Sequence, residues 1–453
     1  RRQRQMCIRD SDGGILIADA GDIVERGRRF GFNDGAVAWR DLNPELASMT
    51  KLTGKPVREP EARVTSGAAN DEVSRAEVNG LDPRDVRRAS GQAPVAKSTH
   101  APGIKGVAAY RALCREEEFL HAEMLGLFDY LRKTRSKGFV VSLSGGCDSA
   151  ACAVLVAHMV AAATQELGLE QACIRMNLGP MSTATKLKDL VASILCCIYQ
   201  STSNSGPVTF AAAEALAREL GATWYAANVQ PMVDHYVQAT EQMLQRPLTW
   251  TQDDLSLQNI QARARAPLAW LLANVKQSIL LTTSNRSEAA VGYATMDGDT
   301  AGGLAPLAGI DKHYLRSWLQ WAELKCNDGL GQIKALAAIN VQPPTAELRP
   351  PGAGQKDEDD LMPYAVLERI ERYLVRDHLG PQDILTTLCY DFPQLAQEDL
   401  RRYLNKFFTL WARNQWKRER IAPAFHIDDE SLDPKTWCRF PILSEPFSAV
   451  SYT

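Results

Sequence analysis

The stretch from Lys137 to Ala163, KGFVVSLSGGCDSAACAVLVAHMVAAA, constrains the fold more than any other. Phe139 to Leu143 form a short, mostly apolar run with two valines, as a buried strand requires. Two glycines follow at once. The apolar residues then continue to Ala163 with only His158 interrupting, which is the length of a buried helix rather than a strand. Strand, glycine turn and helix in that order make one unit of a parallel sheet covered by helices. The alternation runs on to about Asn340, so an α/β fold with a Rossmann-like parallel sheet is expected.

The turn itself, Ser144-Gly145-Gly146-Cys147-Asp148-Ser149, has the make-up of an anion cradle. Glycines let the backbone approach a phosphate closely, and the first N–H groups of a helix are unpaired and point at it. Ser144 and Ser149 add hydroxyl donors. A carboxylate in such a cradle is costly unless a cation lies between it and the phosphate, which makes Asp148 a Mg²⁺ candidate. The lysine of a Walker loop is absent. Cys147 has no nameable base partner and reads as passive.

A second segment begins at the end of the apolar run Ile279–Leu281, where α/β sheets bind ligands. It reads TTSNRSEAAVGYAT from Thr282 to Thr295 and continues through MDGDTAGGLAPLAGIDK to Lys312. It offers Glu288, then Asp297 and Asp299 in a glycine-rich turn, then Lys312. Carboxylates beside a pyrophosphate loop make sense as metal ligands, and a lysine there as a counter-charge to phosphate.

The Ser144–Ser149 turn resembles the SGGxDS pyrophosphate loop of the N-type ATP pyrophosphatases, the adenine nucleotide alpha hydrolase-like fold. The Thr282–Lys312 segment is similar to that of the NAD synthetases. Two further stretches match that family in order: Asn259-Ile260-Gln261-Ala262-Arg263-Ala264-Arg265, and Pro344-Thr345-Ala346-Glu347-Leu348 followed by Gln355 to Leu361 and Tyr364. The resemblance covers roughly residues 138–377. It implies that ATP and nicotinic acid adenine dinucleotide form an acyl-adenylate and pyrophosphate, which ammonia converts to NAD and AMP. Other pyrophosphatase-loop enzymes, such as GMP or argininosuccinate synthetases and tRNA-thiolating enzymes, lack the Thr283–Lys312 pattern. A catalytically silent nucleotide-binding protein would not need Asp148, Glu288, Asp299 and Lys312 together.

Carried over to matching positions, the resemblance assigns pyrophosphate binding to Ser144, Gly145, Gly146, Asp148 and Ser149. Asp148 and Glu288 become the Mg²⁺ ligands. Thr283 belongs to the ATP pocket, Lys312 and Thr345 meet phosphates, and Asp299 lies near the nicotinate and the incoming ammonia. Asn259, Arg263 and Arg265 are candidates for the dinucleotide. The Asp357–Asp360 run reads as a solvated acidic loop.

The flanks divide the chain of 453 residues. Residues 1–48 alternate short apolar runs with turns from Gly14 to Asp41, with a turn at Asp19–Asp22. They resemble the β-rich end of a nitrilase-like glutaminase domain, which in glutamine-dependent NAD synthetases supplies ammonia. No Glu–Lys–Cys constellation precedes Gly14, so a remnant of that domain is expected. Residues 49–105, rich in Gly, Pro, Ser, Asp and Arg, read as a linker. Residues 106–380 are the expected synthetase domain and 381–453 a helical, then irregular extension resembling the glutamine-dependent class.

A net charge of −3 argues against a general polyanion binder. The local cluster Lys417, Arg418 and Arg420 beside Trp411 and Trp416 therefore reads as an intersubunit surface rather than a nucleic-acid site. No run of about 18 apolar residues calls for a membrane. Ten cysteines without a Cys-x-x-Cys and seven scattered histidines disfavour zinc. The expected setting is cytoplasmic, and the resemblance implies a homodimer or larger oligomer.

Overall fold

The computed structural model describes residues 15–19, 22–26, 29–33, 113–179, 182, 184–343, 347–350, 357–428, 430–435 and 438. They fall into two units, one of residues 13–29 and 35–111, the other of 1–12, 30–34 and 112–453. In the first, β1 (Leu16–Asp19) and β2 (Asp22–Arg26) form an antiparallel hairpin, Leu16 opposite Arg26 and Asp19 opposite Asp22. Asp19 and Asp22, the ends of the expected turn, are paired, and the residues between them lie outside the described ones. The expected linker and any third strand lie outside the described residues.

The second unit is built on four strands, β3 (Phe139–Ser142), β4 (Leu195–Ser201), β5 (Thr223–Asn228) and β6 (Ile279–Leu281). Their order is β5-β4-β3-β6 and every pairing is parallel, as the strand–turn–helix reading requires. Its helices begin with α1 (Arg115–Thr134), α2 (Cys147–Leu167), α3 (Leu169–Arg175), α4 (Leu187–Ile194) and α5 (Pro207–Leu220). Next come α6 (Gln230–Leu244), α7 (Trp250–Val275), α8 (Arg286–Val291), α9 (Lys312–Leu324) and α10 (Ala337–Asn340). The last are α11 (Asp357–Asp360), α12 (Tyr364–Val375), α13 (Pro381–Asp391), α14 (Gln397–Arg413) and α15 (Gln415–Arg418).

Strand side chains alternate between two faces. Val141, Leu143, Leu195 and Cys197 point into a large core with α1, α2, α5 and α9. Val140, Cys196, Ile198 and Leu280 point the other way, onto Ala269 and Ala273 of α7. The sheet is thus covered on both sides, which is why its strands read as continuous apolar runs. Helix α2 is long and apolar enough, by length and composition, to cross a membrane, but most of it is buried in this core.

A second core gathers Ala289, Ala290 and Val291 of α8 against α12, α13 and α14, with Leu367, Ile370, Leu388, Leu404 and Phe407 all buried. Helix α8 therefore lies between the sheet and the C-terminal helices. The chain leaves β3 for β4 on one side, while β6 pairs on the other side of β3. A crevice opens at the strands' carboxyl ends where such a sheet reverses direction. The Ser144 turn and the Thr282–Asn285 segment both begin there.

Candidate active site

The turn after β3 is closed by its own serines. Ser144 Oγ and Ser149 Oγ lie 3.0 Å apart, Ser149 Oγ accepts from Ser144 N at 3.1 Å, and Gly146 N donates to Ser144 Oγ at 3.2 Å. Gly145 has φ +85°, and a Cβ there would stand 2.2 Å from the Thr209 carbonyl oxygen, so only glycine fits. The first amides of α2 open onto a cavity of about 250 Å³. Ser144, Gly146, Asp148, Thr283, Glu288, Asp299, Arg265 and Lys312 all border it. Eight of the thirteen residues singled out from the sequence thus share one cavity, and Gly145 and Ser149 build the turn behind it.

Its charged centre comes from three elements. Lys312 is the first residue of α9, fixed by its N-cap Asp311 and by its own N–H donating to Ser287 Oγ at 3.2 Å. Its Nζ reaches Asp148 Oδ2 and, at 3.3 Å, Glu288 Oε1. Asn285 caps α8 by accepting from Glu288 N at 3.0 Å and donates its amide to Asp148 Oδ1 at 2.9 Å. Burial pushes the Glu288 carboxyl up to about 8 against the pull of Lys312. Burial works against the Lys312 charge too, but Asp148 and Glu288 outweigh it and hold the ammonium well above its ordinary range. Burial also pushes the Cys147 thiol up to about 12, in keeping with a passive residue.

Asp357 corrects the sequence reading. It is not in a solvated loop. It opens the helical turn α11, is buried, and accepts from Tyr364 Oη at 3.3 Å. Burial raises its carboxyl, and Lys312 is the main opposing charge. Asp148 and Glu288 pair with the Lys312 ammonium, and Asp357 borders the same cavity. The residues fit a divalent cation: the carboxylates exceed the local positive charge, and Glu288 is desolvated. Among the described residues no group of three His, Cys, Asp or Glu forms a metal cage. Mg²⁺ takes one or two carboxylates and completes its shell with phosphate oxygens and water, and Asp148 and Glu288 are the pair that would serve it here.

The far side of the cavity is a turn held by hydroxyls. Asp299 Oδ2 accepts from Thr295 N at 2.8 Å, while the Asp299 carbonyl accepts from Thr282 Oγ1 at 2.7 Å. Partial loss of solvation raises the Asp299 carboxyl, although the residue itself is exposed. Asn259 acts on this turn, accepting from Thr295 Oγ1 at 2.8 Å. Arg265 borders the cavity and donates from Nε to the Gln200 carbonyl at 3.1 Å. Gln200 Nε2 returns a bond to the Arg265 carbonyl at 2.7 Å, and Ser142 Oγ donates to Gln200 Oε1. Arg263 is exposed, bonds to the Met296 carbonyl at 3.0 Å and borders a neighbouring groove with Tyr236, Trp270 and Arg420. Thr345 lies outside the described residues. Gln200 and Asp357 are the site residues that sequence reasoning missed. Gln200 ends an otherwise apolar strand, which is a signal in itself.

The basic cluster also differs from its sequence reading. Arg418 is buried and Lys417 half-buried, and both bond to carbonyls of the chain following Glu288, so these two face inward, while Arg420 and Trp416 stay exposed.

Comparison with known proteins adds an independent line. The family model of NAD synthase matches residues 119–420. The chain belongs to that family. A glutamine-dependent NAD(+) synthetase of Oryza sativa subsp. indica is 27% identical over 93% of this chain and 57% of its own length. One from Thermotoga maritima is 30% identical over 73% of this chain and 48% of its own length. The crystal structure of a glutamine-dependent NAD(+) synthetase from Cytophaga hutchinsonii shares 46% identity, with a TM-score of 0.65, over 74% of this chain and 55% of that one. The chain thus spans about half to three fifths of the NAD synthase relatives it matches.

Proposed function

We propose that this chain carries the synthetase activity of a glutamine-dependent NAD synthetase, a carbon–nitrogen ligase. It would use ATP to amidate nicotinic acid adenine dinucleotide, with nitrogen from ammonia that glutamine supplies in the longer protein. The observation that carries this reading is the meeting of Asp148, Glu288 and Lys312 beside the Ser144–Ser149 turn.

A carboxylate is a poor acyl electrophile. The nicotinate oxygen attacks the α-phosphorus of ATP, pyrophosphate leaves, and the acyl carbon gains AMP as a leaving group. Ammonia then attacks that carbon and AMP departs. The chain's part is positioning and charge stabilisation. The Cys147 amide and the Ser144 hydroxyl would face the pyrophosphate, while Gly145, Gly146 and Ser149 shape the turn that presents them. Lys312 neutralises charge developing on the phosphates, and Asp148 and Glu288 hold Mg²⁺. When bound, that ion screens the triphosphate and polarises the scissile bond. Asp299, exposed where it borders the cavity, would stand at the nicotinate end and orient the ammonia. Thr345 would contact a phosphate. Arg265, and Arg263 with Asn259 behind it, would receive the dinucleotide.

Exposed apolar residues on β5, α6 and α7, among them Tyr225, Tyr236, Leu271 and Val275, are compatible with the expected homodimer. Residues 1–48 are read as a nitrilase-like remnant, 49–105 as a linker, 106–380 as the synthetase domain and 381–453 as its extension.

The test is NAD and AMP formation from ATP, Mg²⁺ and nicotinic acid adenine dinucleotide, run with ammonium and with glutamine. Activity with ammonium alone is expected for this chain. Activity with glutamine would reveal a glutaminase site within it. No substrate-dependent AMP with either would overturn the reading.

A further inference from the structure

Helix α8 is six residues long, far below the length at which a helix holds itself together in water, yet it must keep Glu288 in register with Asp148 and Lys312. Its last carbonyls have no intrahelical partners. The Glu288 carbonyl is met by the backbone, through Gly292 N and Tyr293 N. The next four are met by side chains from a segment far along the chain. Arg418 Nη1 donates to the Ala289 and Ala290 carbonyls at 3.1 and 2.7 Å. Asn414 Nδ2 donates to the Val291 carbonyl at 2.8 Å, and Lys417 Nζ to those of Gly292 and Ala294 at 2.7 and 3.0 Å.

This arrangement is costly. Arg418 is 3% exposed, and among the described residues it makes no ion pair with a carboxylate. Burial pushes its guanidinium down to about 10. Its compensation is the Trp411 ring, 4.1 Å from Cζ, the Trp411 carbonyl, and the end of α8. A buried cation satisfied by carbonyls alone is weak as a source of stability, because apolar side chains of similar volume would avoid its desolvation. It does fix geometry, since a fork of donors meets successive carbonyls only at one helix position and rotation. The fit is close from the other side too. Gly292 has φ +65°, and a Cβ there would lie 2.3 Å from Asn414 Cβ.

We propose that Asn414, Lys417 and Arg418 form a clamp that positions Glu288 and the turn leading to Asp299 for catalysis. They are positioning residues, and the inference rests on the synthetase reading given above. A displacement of about 1 Å at a reacting centre can cost on the order of 10²-fold in rate. The Ser144–Ser149 turn is not touched by the clamp, so ATP binding should be spared.

The experiment compares the parent chain with Arg418→Met, Arg418→Lys and Lys417→Met. It follows kcat for AMP formation, KM for ATP, the Mg²⁺ requirement, and amide hydrogen exchange. Arg418→Met is expected to lower kcat by roughly 10- to 100-fold, with a smaller change in KM for ATP and a higher Mg²⁺ requirement. The Gly292 and Tyr293 amides should exchange faster while those of β3 and α2 stay protected. Arg418→Lys, which keeps a cation at the carbonyls, should recover part of kcat. Two results would overturn the proposal. One is kcat within twofold of the parent despite faster exchange at Gly292 and Tyr293. The other is a lost kcat with exchange there unchanged. If Arg418→Met does not fold, the half-buried Lys417→Met carries the same comparison. A parent chain that forms no AMP sinks the synthetase reading instead, and the exchange arm still reads the clamp without turnover.

Discussion

Asn285 holds Asp148 and its own helix with one amide group: Nδ2 donates to Asp148 Oδ1 at 2.9 Å while Oδ1 caps α8. The two duties can be separated. Aspartate caps a helix as well as asparagine does, but it would set a carboxylate against Asp148. Asn285→Asp should therefore keep the cap yet lower turnover at least tenfold, and it should also lower the melting temperature, because Asn285 is fully buried and the new carboxylate is desolvated beside Asp148. Asn285→Ala should lower both, with about 1 kcal/mol lost from the missing cap. Equal turnover for Asn285→Asp and the parent would show that the tether to Asp148 is idle.

Asp148→Asn and Glu288→Gln should each abolish AMP formation and leave the circular dichroism spectrum unchanged. Near-normal turnover of either at saturating Mg²⁺ would remove both from the metal assignment. A pH signature accompanies this. Burial raises the Glu288 carboxyl to about 8, so protons compete with the cation below that pH. The Mg²⁺ concentration needed for half-maximal turnover should fall as pH rises from 6 to 8, by at most about tenfold per unit. A flat requirement over that range would contradict the buried carboxylate as a ligand.

Gly145→Ala should fail in a different way. The new methyl group would collide with the Thr209 backbone, which cannot swing aside as a side-chain end can. The turn should be displaced, with nucleotide binding lost along with turnover. Calorimetric titration with an ATP analogue reads this directly, and parent-like affinity would refute the steric argument.

His158 provides a stability test away from the site. It is fully buried in α2, its Nδ1 accepts from Leu330 N at 3.3 Å, and burial lowers its ring to about 4. A lowered histidine is neutral in the folded chain, while the unfolded chain takes a proton below about 6.5. Its contribution is therefore present above that pH and lost as pH falls toward 4, by about 3 kcal/mol at most. Urea midpoints of the parent and His158→Gln should converge as pH drops from 7 to 5. Parallel midpoints would show that the ring is charged when folded.

The parallel sheet and the two loops at its edge were legible because they are local. Phe139–Leu143 and Ser144–Ser149 each carry their meaning within six residues, and so does the capped start of α8. Asp357 was not legible. A run of four acidic residues reads as solvated, and its burial depends on Tyr364 and Lys312 arriving from elsewhere. Lys417 and Arg418 failed for a related reason. Their partners are backbone carbonyls, which have no signature in a sequence, so a cationic pair beside tryptophans looked like surface. Asn259, expected from the sequence to meet the dinucleotide, braces the Thr295 end of the Asp299 turn.

The clamp also sets an order of events during synthesis. Ala289 and Arg418 are separated by 129 positions, and Ala305, beside the end of β6, bridges to Ala424. At about 5–20 residues per second, a ribosome needs on the order of ten seconds to travel from one to the other. Through that interval the nascent chain holds its Ser144–Ser149 turn, with Asp148 and Glu288 linked through Asn285 and Lys312 but no clamp behind α8. A newly made chain should thus acquire nucleotide affinity before it acquires turnover, and a ribosome stalled short of residue 414 would leave a nucleotide binder that cannot turn over.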